Sequence, residues 1–305
     1  MEITAKAVAA LRAKTGIGMM DCKKALVEAQ GNEEEAIKIL REKGMAVAAK
    51  KSSRIAAEGL VSIMMDPETH LAAMIEVNIE TDFAAKNAAF GEFVNDLLKI
   101  ILKTQPANVE ELLKKEFKDG LDVEAALKDK IFTIGENINI RRFVIIPDAA
   151  SYYVHGKGSI GVVVKMTKLV KDPRFDEAAK NVCLQIAAMN PGYLDPASVP
   201  ASVLDEEREI ISKQIAEDPA NAKKPPMVIQ KMTEGKLNKF FLTNCLTEQA
   251  YVKDDKLSVK KYVAEVAKEL GEDFAIQSFV RFEKGEGLEK REDNFAEEIA
   301  KLTQK

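Results

Sequence analysis

Ten consecutive residues set the first requirement on the fold. Leu71, Ala73, Ile75, Val77 and Ile79 alternate with Ala72, Met74, Glu76, Asn78 and Glu80. Side chains of an extended chain point alternately to opposite faces, so a period of two predicts a strand. A strand in turn needs a neighbour for its backbone N–H and C=O groups. Leu60 to Met65 reads as that partner, with Asp66-Pro67-Glu68-Thr69 as the turn between them. Directly afterwards Phe90, Phe93, Val94, Leu97 and Ile101 fall near helical spacing. A sheet is thus imposed on a chain whose composition leans to helix, with Ala, Leu, Lys and Glu common, 6% aromatics and no Trp. The class expected is α+β. The 305 residues, 46% hydrophobic and 31% charged, suit about two packed domains of a soluble globular protein.

The first 52 residues read as a small helical module. Thr4 can cap a helix carrying Val8 and Leu11, and Gly16 can end it. A second helix, about Met19 to Ala29, stops at Gly31. Asn32 can cap a third, with Glu33, Glu34 and Glu35 in its first turn, where the helix dipole favours anions. Ala36, Ile37 and Leu40 face inward, and Gly44 is expected to end this helix. Such a small bundle is marginal alone and suits a docking surface. Lys50 to Arg54 reads as a linker.

Further on, Ile138 to Ile146 and Val154 read as strands, followed by Ile160 to Met166. Asp172-Pro173 starts a helix that runs to about Met189. The strand–strand–helix order therefore recurs, as a pattern of elements without sequence identity. Ser202 to Asp205 resembles a capping box that opens a helix with Ile210, Ile211 and Ile215. Asp218-Pro219 and Pro225-Pro226 break it, and a second helix carries Val228, Met232, Leu237 and Phe240. This helical hairpin cannot bury both its faces alone, so it should pack on something, a second copy being one choice. A helix near Ser258 to Leu270, a strand near Phe274 to Phe282 and a polar helix from about Asn294 complete the chain.

Chemistry-bearing motifs are sparse. The formal net charge is -4, with acidic and basic residues interspersed, so no basic face for nucleic acid is enforced. Cys22, Cys183 and Cys245 are far apart and form no CxxC, and only His70 and His155 could join them on a metal. No metal and no cofactor are expected. No run approaches the roughly 20 apolar residues of a membrane span, and the N-terminus lacks a secretory core, so the cytoplasm is the expected compartment. A P-loop, GxSxG and HExxH are all missing. Gly156-Lys157-Gly158-Ser159-Ile160-Gly161 matches GxGxxG, which would suit an enzyme with a nucleotide cofactor if a helix followed. Val162-Val163-Val164 follows instead, so the context reads as a glycine-rich hairpin turn. A direct RNA contact is the other rival, and the acidic balance opposes it.

Two stretches stand apart. Lys14 to Leu26 sets Met19 and Met20 at a helix start after a glycine hinge. Neighbouring helical positions are about 100° apart, so both can hardly face inward. One exposed methionine at a partner surface and two partly buried ones are both open readings. In Thr81-Asp82-Phe83-Ala84-Ala85-Lys86-Asn87, between a strand and a helix, Phe83 falls where a polar connection belongs. It either tucks into its own core or protrudes as a partner's anchor, and burial tendencies alone favour the core.

These stretches resemble two signature regions of the bacterial elongation factor Ts family. The likeness continues through Ile134 to Arg142, His155-Gly156, Ile160 to Val162, Thr233 to Leu237 and Phe279 to Lys290. Departures are Ile17 and Ala84, where the family usually has Ala and Val, and Gln249-Ala250-Tyr251-Val252 in place of Gln-Pro-Phe-Val. The resemblance implies a guanine-nucleotide exchange factor in translation elongation, without catalytic chemistry, whose partner is the GTPase elongation factor Tu. Thr81, Asp82, Phe83 and Ala84 would enter near the partner's Mg²⁺ site, and Met19 and Met20 would dock. It implies a ubiquitin-associated-like module at 1–52, a core N-subdomain at 55–149 and a core C-subdomain at 150–193 and 247–286. A helical-hairpin dimerisation domain at 194–246, for a possible homodimer, and a C-terminal helical module at 287–305 complete it.

Overall fold

The structure, a computed structural model, describes residues 3–118, 120–221 and 224–289. The expected helix from Asn294 lies outside these residues. The described chain is a mixed α+β protein. Its first part is three helices, α1 (Ala5–Thr15), α2 (Met19–Glu28) and α3 (Glu33–Lys51). Thr4 and Asn32 cap α1 and α3 through their side-chain oxygens, as their position before an apolar-periodic run requires. Val8, Leu11, Cys22, Leu26, Ala36 and Leu40 close a small core between them.

Two three-stranded antiparallel sheets follow. The first contains β1 (Glu58–Met65), β2 (Ala72–Ile79) and β3 (Ile138–Ile146), in the order β1-β2-β3. The second contains β4 (Ala149–His155), β5 (Ile160–Met166) and β8 (Ile276–Glu283), in the order β4-β5-β8. Each sheet is a hairpin, then a long helix, then a third strand returning beside the second. The helices are α5 (Ala88–Thr104) and α8 (Pro173–Met189). The recurrence seen in sequence is therefore real as topology, with one correction. Ile138–Ile146 pairs with β2 and closes the first sheet, so the second copy starts at β4.

The sheets pack face to face. Val61, Ile63, Met74, Val163 and Phe282 lie between them. The outer face of the first sheet is covered by α5 and α7 (Val123–Ile134), with α6 (Val109–Leu113) between them in sequence. The outer face of the second is covered by α8 and α11 (Val259–Leu270). Hence every residue of β2 is buried. Its alternation sorts side chains between two interior layers, not between core and water: Ala73, Ile75, Val77 and Ile79 meet the helices, and Ala72 and Met74 meet the other sheet. Gly161 makes the close approach possible. A Cβ there would lie 2.5 Å from Val61 Cγ1 and 2.9 Å from Met74 Sδ.

The helical hairpin is α9 (Ala201–Glu217) and α10 (Pro226–Asn244), with β6 (Ala250–Tyr251) and β7 (Asp254–Ser258) leading back to α11. Only Ile211 and Ile215 of α9 are buried, and α10 has no buried residue. The capping box expected at Ser202 does not form. The helix begins two residues earlier, at Ala201 behind Pro200, without a side-chain cap, and Asp205 pairs with Arg208.

Gly44 does not end α3. The helix continues to Lys51, with Gly44 facing Phe132 of α7, where an added Cβ would make an ordinary van der Waals contact at 3.5 Å from Phe132 Cβ. Gly44 is a buried interior position of α3, so a glycine in a helical run is no stop by itself. The expected linker is correspondingly held down. Lys51 Nζ donates to the Gly135 carbonyl, and Asn137 Nδ2 donates to the Arg54 carbonyl at 2.8 Å.

Candidate functional site: a fastened loop with a protruding ring

β2 ends at Ile79, and the chain turns at Glu80-Thr81 into a single helical turn, α4 (Asp82–Ala85), before Asn87 caps α5. Thr81 caps that turn through its hydroxyl, which accepts from the Ala84 N–H at 3.2 Å. Inward positions are taken by Ala84 and Ala85, which pack on the core beneath the first sheet. Phe83 and Asp82 are left on the outer side. Phe83 is 83% exposed, the most exposed large hydrophobic residue among those described. The reading that burial tendency favours, a ring sealed in its own core, is therefore wrong: two alanines fill that place.

The loop is tied at both flanks. Glu136, just past the end of α7, accepts from the Thr81 N–H at 2.9 Å and from its hydroxyl at 2.7 Å. Glu80 Oε1 accepts from the Asn137 N–H at 2.6 Å and from Arg54 at 3.4 Å. Lys86 donates to Asp82 Oδ2 at 2.5 Å and lies 5.7 Å from the Phe83 ring centroid. Its ammonium holds the exposed Asp82 carboxyl below the usual carboxylate range. The result is an apolar ring beside a carboxylate on a backbone with little freedom. Glu136→Ala leaves the Thr81 N–H without its acceptor. A stability loss of about 1–2 kcal/mol is expected, together with faster amide exchange at Thr81 and Ala84 by hydrogen-exchange mass spectrometry; unchanged exchange would show that the tie is not needed.

Both methionines of the other stretch are exposed, Met19 by 50% and Met20 by 63%. Two partly buried residues were one open reading, but Ile17, just before α2, is the residue that enters the core. The α1–α2 turn is close to the end of α7 as well: a Cβ at Gly16 would meet Thr133 Cγ2 at 3.4 Å. Residues 133–136 thus touch the turn that leads to Met19 and Met20 on one side and fasten Thr81 on the other.

The remaining motifs resolve simply. Gly156 to Ser159 is the β4–β5 hairpin turn, with Gly158 at φ 100°, and a strand follows it, so no helix end is available to a pyrophosphate. His155 Nδ1 lies 2.9 Å from the Tyr153 hydroxyl at the same hairpin. The three thiols are free and buried, and burial pushes Cys183 up to about 12. Among the described residues there is no cluster of His, Cys, Asp or Glu able to hold a metal, and no helix long and apolar enough to cross a membrane.

Sequence reasoning missed Glu136, Glu80, Asn137 and Arg54 as the fastening of the loop. The Lys86–Asp82 pair was readable, since residues four apart on a helix are neighbours. Glu136 gave no such signal, being 55 positions from Thr81.

Fold and loop together define a class: an α+β protein that carries, on a capped, tied turn, the most exposed large apolar side chain among the described residues. The comparisons make this specific. The family model described as Elongation factor TS matches residues 80–286. The chain is 47% identical to elongation factor Ts of Syntrophotalea carbinolica over 99% of this chain and 100% of that one. It is 45% identical to elongation factor Ts of Clostridioides difficile, over 98% of each chain. The chain belongs to the elongation factor Ts family.

Proposed function

We propose that this chain is a guanine-nucleotide exchange factor for elongation factor Tu in translation elongation, acting by binding alone. Its ubiquitin-associated-like module of three helices would dock through Met19 and Met20. Thr81, Asp82, Phe83 and Ala84 would enter beside the partner's Mg²⁺ and phosphates. The observation that carries the reading is the Phe83 ring, exposed on a backbone tied by Glu136 and Glu80. Exposing such a ring wastes burial worth about 1.5–3 kcal/mol, so a partner that covers it accounts for the cost.

Mg²⁺ demands near-octahedral oxygen ligands, and displacing them by about an ångström weakens the hold on the nucleotide. A nanomolar nucleotide complex is worth about 12 kcal/mol, so losing a few of these speeds release by orders of magnitude. Linkage requires that nucleotide with Mg²⁺ weaken the factor's binding by the same factor, so that incoming GTP displaces it. No covalent step, catalytic base or cofactor is needed. The outer face of the α9–α10 hairpin, with Met227 and Leu242 exposed, suits a second copy.

The test is stopped-flow release of a fluorescent GDP from elongation factor Tu. A substoichiometric amount of this chain is expected to accelerate release at least tenfold, and an unchanged rate at saturating chain would overturn the function.

A further inference from the structure

The chain passes from the three N-terminal helices to the first sheet through six residues, 52–57, between α3 and β1. A free connection of this length would be a pivot, since it spans up to roughly 20 Å and each residue has two soft dihedrals. Here it is held. α7 ends at Gly135, whose φ of 86° lies in the left-handed region and turns the chain away from the helix axis. Asn137 follows, a polar residue left only 7% exposed. Its Nδ2 donates to the Arg54 carbonyl at 2.8 Å and reaches the Ser52 carbonyl at 3.5 Å. Its backbone N–H donates to Glu80 at 2.6 Å.

Asn137 therefore joins the segment that carries the N-terminal helices to the segment that opens the Phe83 turn. Its neighbours in sequence repeat the arrangement. Phe132 packs on the core of the three helices, Lys51 donates to the Gly135 carbonyl, and Glu136 accepts from Thr81. Glu80 accepts from both Asn137 and Arg54. The Lys51 and Arg54 contacts are made by long, exposed side chains, and such contacts hold little. The Asn137 amide differs. It is buried and its partner is a backbone carbonyl, so breaking that bond leaves an acceptor unpaired away from bulk water.

We infer that Asn137 is a positioning residue: its side-chain amide locks the connection at 52–54, so that Met19 and Met20 on the helices and Phe83 on its turn keep one fixed spacing. The consequence for nucleotide release rests on the exchange reading above. Two contacts held at the spacing a partner requires act as one, because the second forms without a further search. With the connection released, the helices pivot, the second contact has to find its place, and more chain is needed to saturate the partner. The Phe83 turn keeps its own ties to Glu136 and to the Asn137 backbone, so the rate at saturation is preserved.

Asn137→Asp in the full chain tests it. The substitution keeps the side chain's size, removes the donor at neutral pH and sets a negative charge against the Arg54 carbonyl. Spin labels on Val27→Cys of α2 and Asn95→Cys of α5, both exposed positions, report the spacing in the free chain by double electron–electron resonance, the native thiols being buried. A single narrow distance is expected with Asn137 in place, and a distribution at least twice as wide with Asn137→Asp. Equal widths would overturn the proposal, whatever the chain does to elongation factor Tu. In GDP release, the half-saturating concentration of the Asn137→Asp chain is expected to rise at least fivefold, with the plateau within twofold of the parent's. A lowered plateau at unchanged half-saturation would assign Asn137 to the shape of the turn and overturn the lock. A parent chain that releases no GDP refutes the exchange reading instead, and the distance widths then decide the lock alone. Asn137→Ala removes the same donor without adding charge and carries both measurements if Asn137→Asp does not fold; it is expected to move them in the same direction, and unmoved values would overturn the proposal.

Discussion

Phe83→Ala is expected to lower the maximal rate of GDP release from elongation factor Tu by roughly 30- to 100-fold, with melting of the free chain unchanged. The second half follows from exposure. A ring 83% in water contributes almost nothing to its own core, and substitutions at such positions stay within about 0.5 kcal/mol. The first half follows from what the ring does at a partner. A buried aromatic hot spot is worth about 2–3 kcal/mol, and about 1.4 kcal/mol is a factor of ten. The measurement can also separate two roles. A ring that only anchors would bind nucleotide-loaded and nucleotide-free partner equally, and equal affinity shifts no equilibrium. Its loss would raise the half-saturating concentration and leave the plateau intact. A ring that wedges favours the nucleotide-free state, so its loss lowers the plateau itself. An undiminished plateau with Phe83→Ala would sink the wedge even if the family function stands.

How much of this was legible depended on whether the cause was local. The strand at 71–80, the helix start at Asp172-Pro173 and the caps Thr4 and Asn32 rest on neighbours in sequence, and each forms as read. Gly44 was misread because a glycine late in a helical run marks either a stop or a tolerated interior position, and residue type alone does not tell them apart; in the fold it lies inside α3, facing Phe132, 88 positions away in sequence. Phe83 was misread from burial tendency because its place in the core is filled by Ala84 and Ala85, a competition that residue type alone does not reveal. The two-sided burial of β2 needed the second sheet, whose arrival over Met74 is set by Gly161. The family resemblance pointed to Asp82 and Phe83 without any of this geometry, but it assigned no role to Glu136, which gives the loop its fixed shape.

Glu76 carries the second large effect: Glu76→Ala is expected to cost about 3 kcal/mol of stability, a large share of the roughly 5–15 kcal/mol available to such a protein. The carboxylate is fully buried in β2. It accepts from Arg141 at 3.0 Å, Arg142 Nε at 2.7 Å, Asn78 at 3.1 Å and the Gly285 N–H at 2.8 Å. The register of β2 and β3 shifts between Glu76 and Val77, so Arg141 is the extra residue of a bulge and both arginines reach one acid. Removing the acid takes an acceptor from each guanidinium group, leaving them, among the described residues, only their bonds to Glu283 and Glu286, and strands one backbone donor, the Gly285 N–H. Because the arginines keep some solvent contact, the cost sits at the lower end for a broken buried pair. Burial by itself would raise this carboxyl, but the Gly285 N–H, Asn78 and the two arginines outweigh it, and the folded value lies below the ordinary 4.5. The unfolded chain therefore takes up the proton first as pH falls. The stabilisation is complete above pH 4.5 and is lost as pH drops through the lower folded value. Glu76→Gln keeps the shape and one acceptor, so it should cost less than Glu76→Ala at neutral pH and should flatten the acid limb. Urea melts of the three chains between about pH 7 and pH 3 give both numbers. If Glu76→Ala costs under 1 kcal/mol, or if Glu76→Gln loses stability in acid as steeply as the parent, the four donors are not acting through this carboxylate and the pinned turn at Gly285 needs another cause.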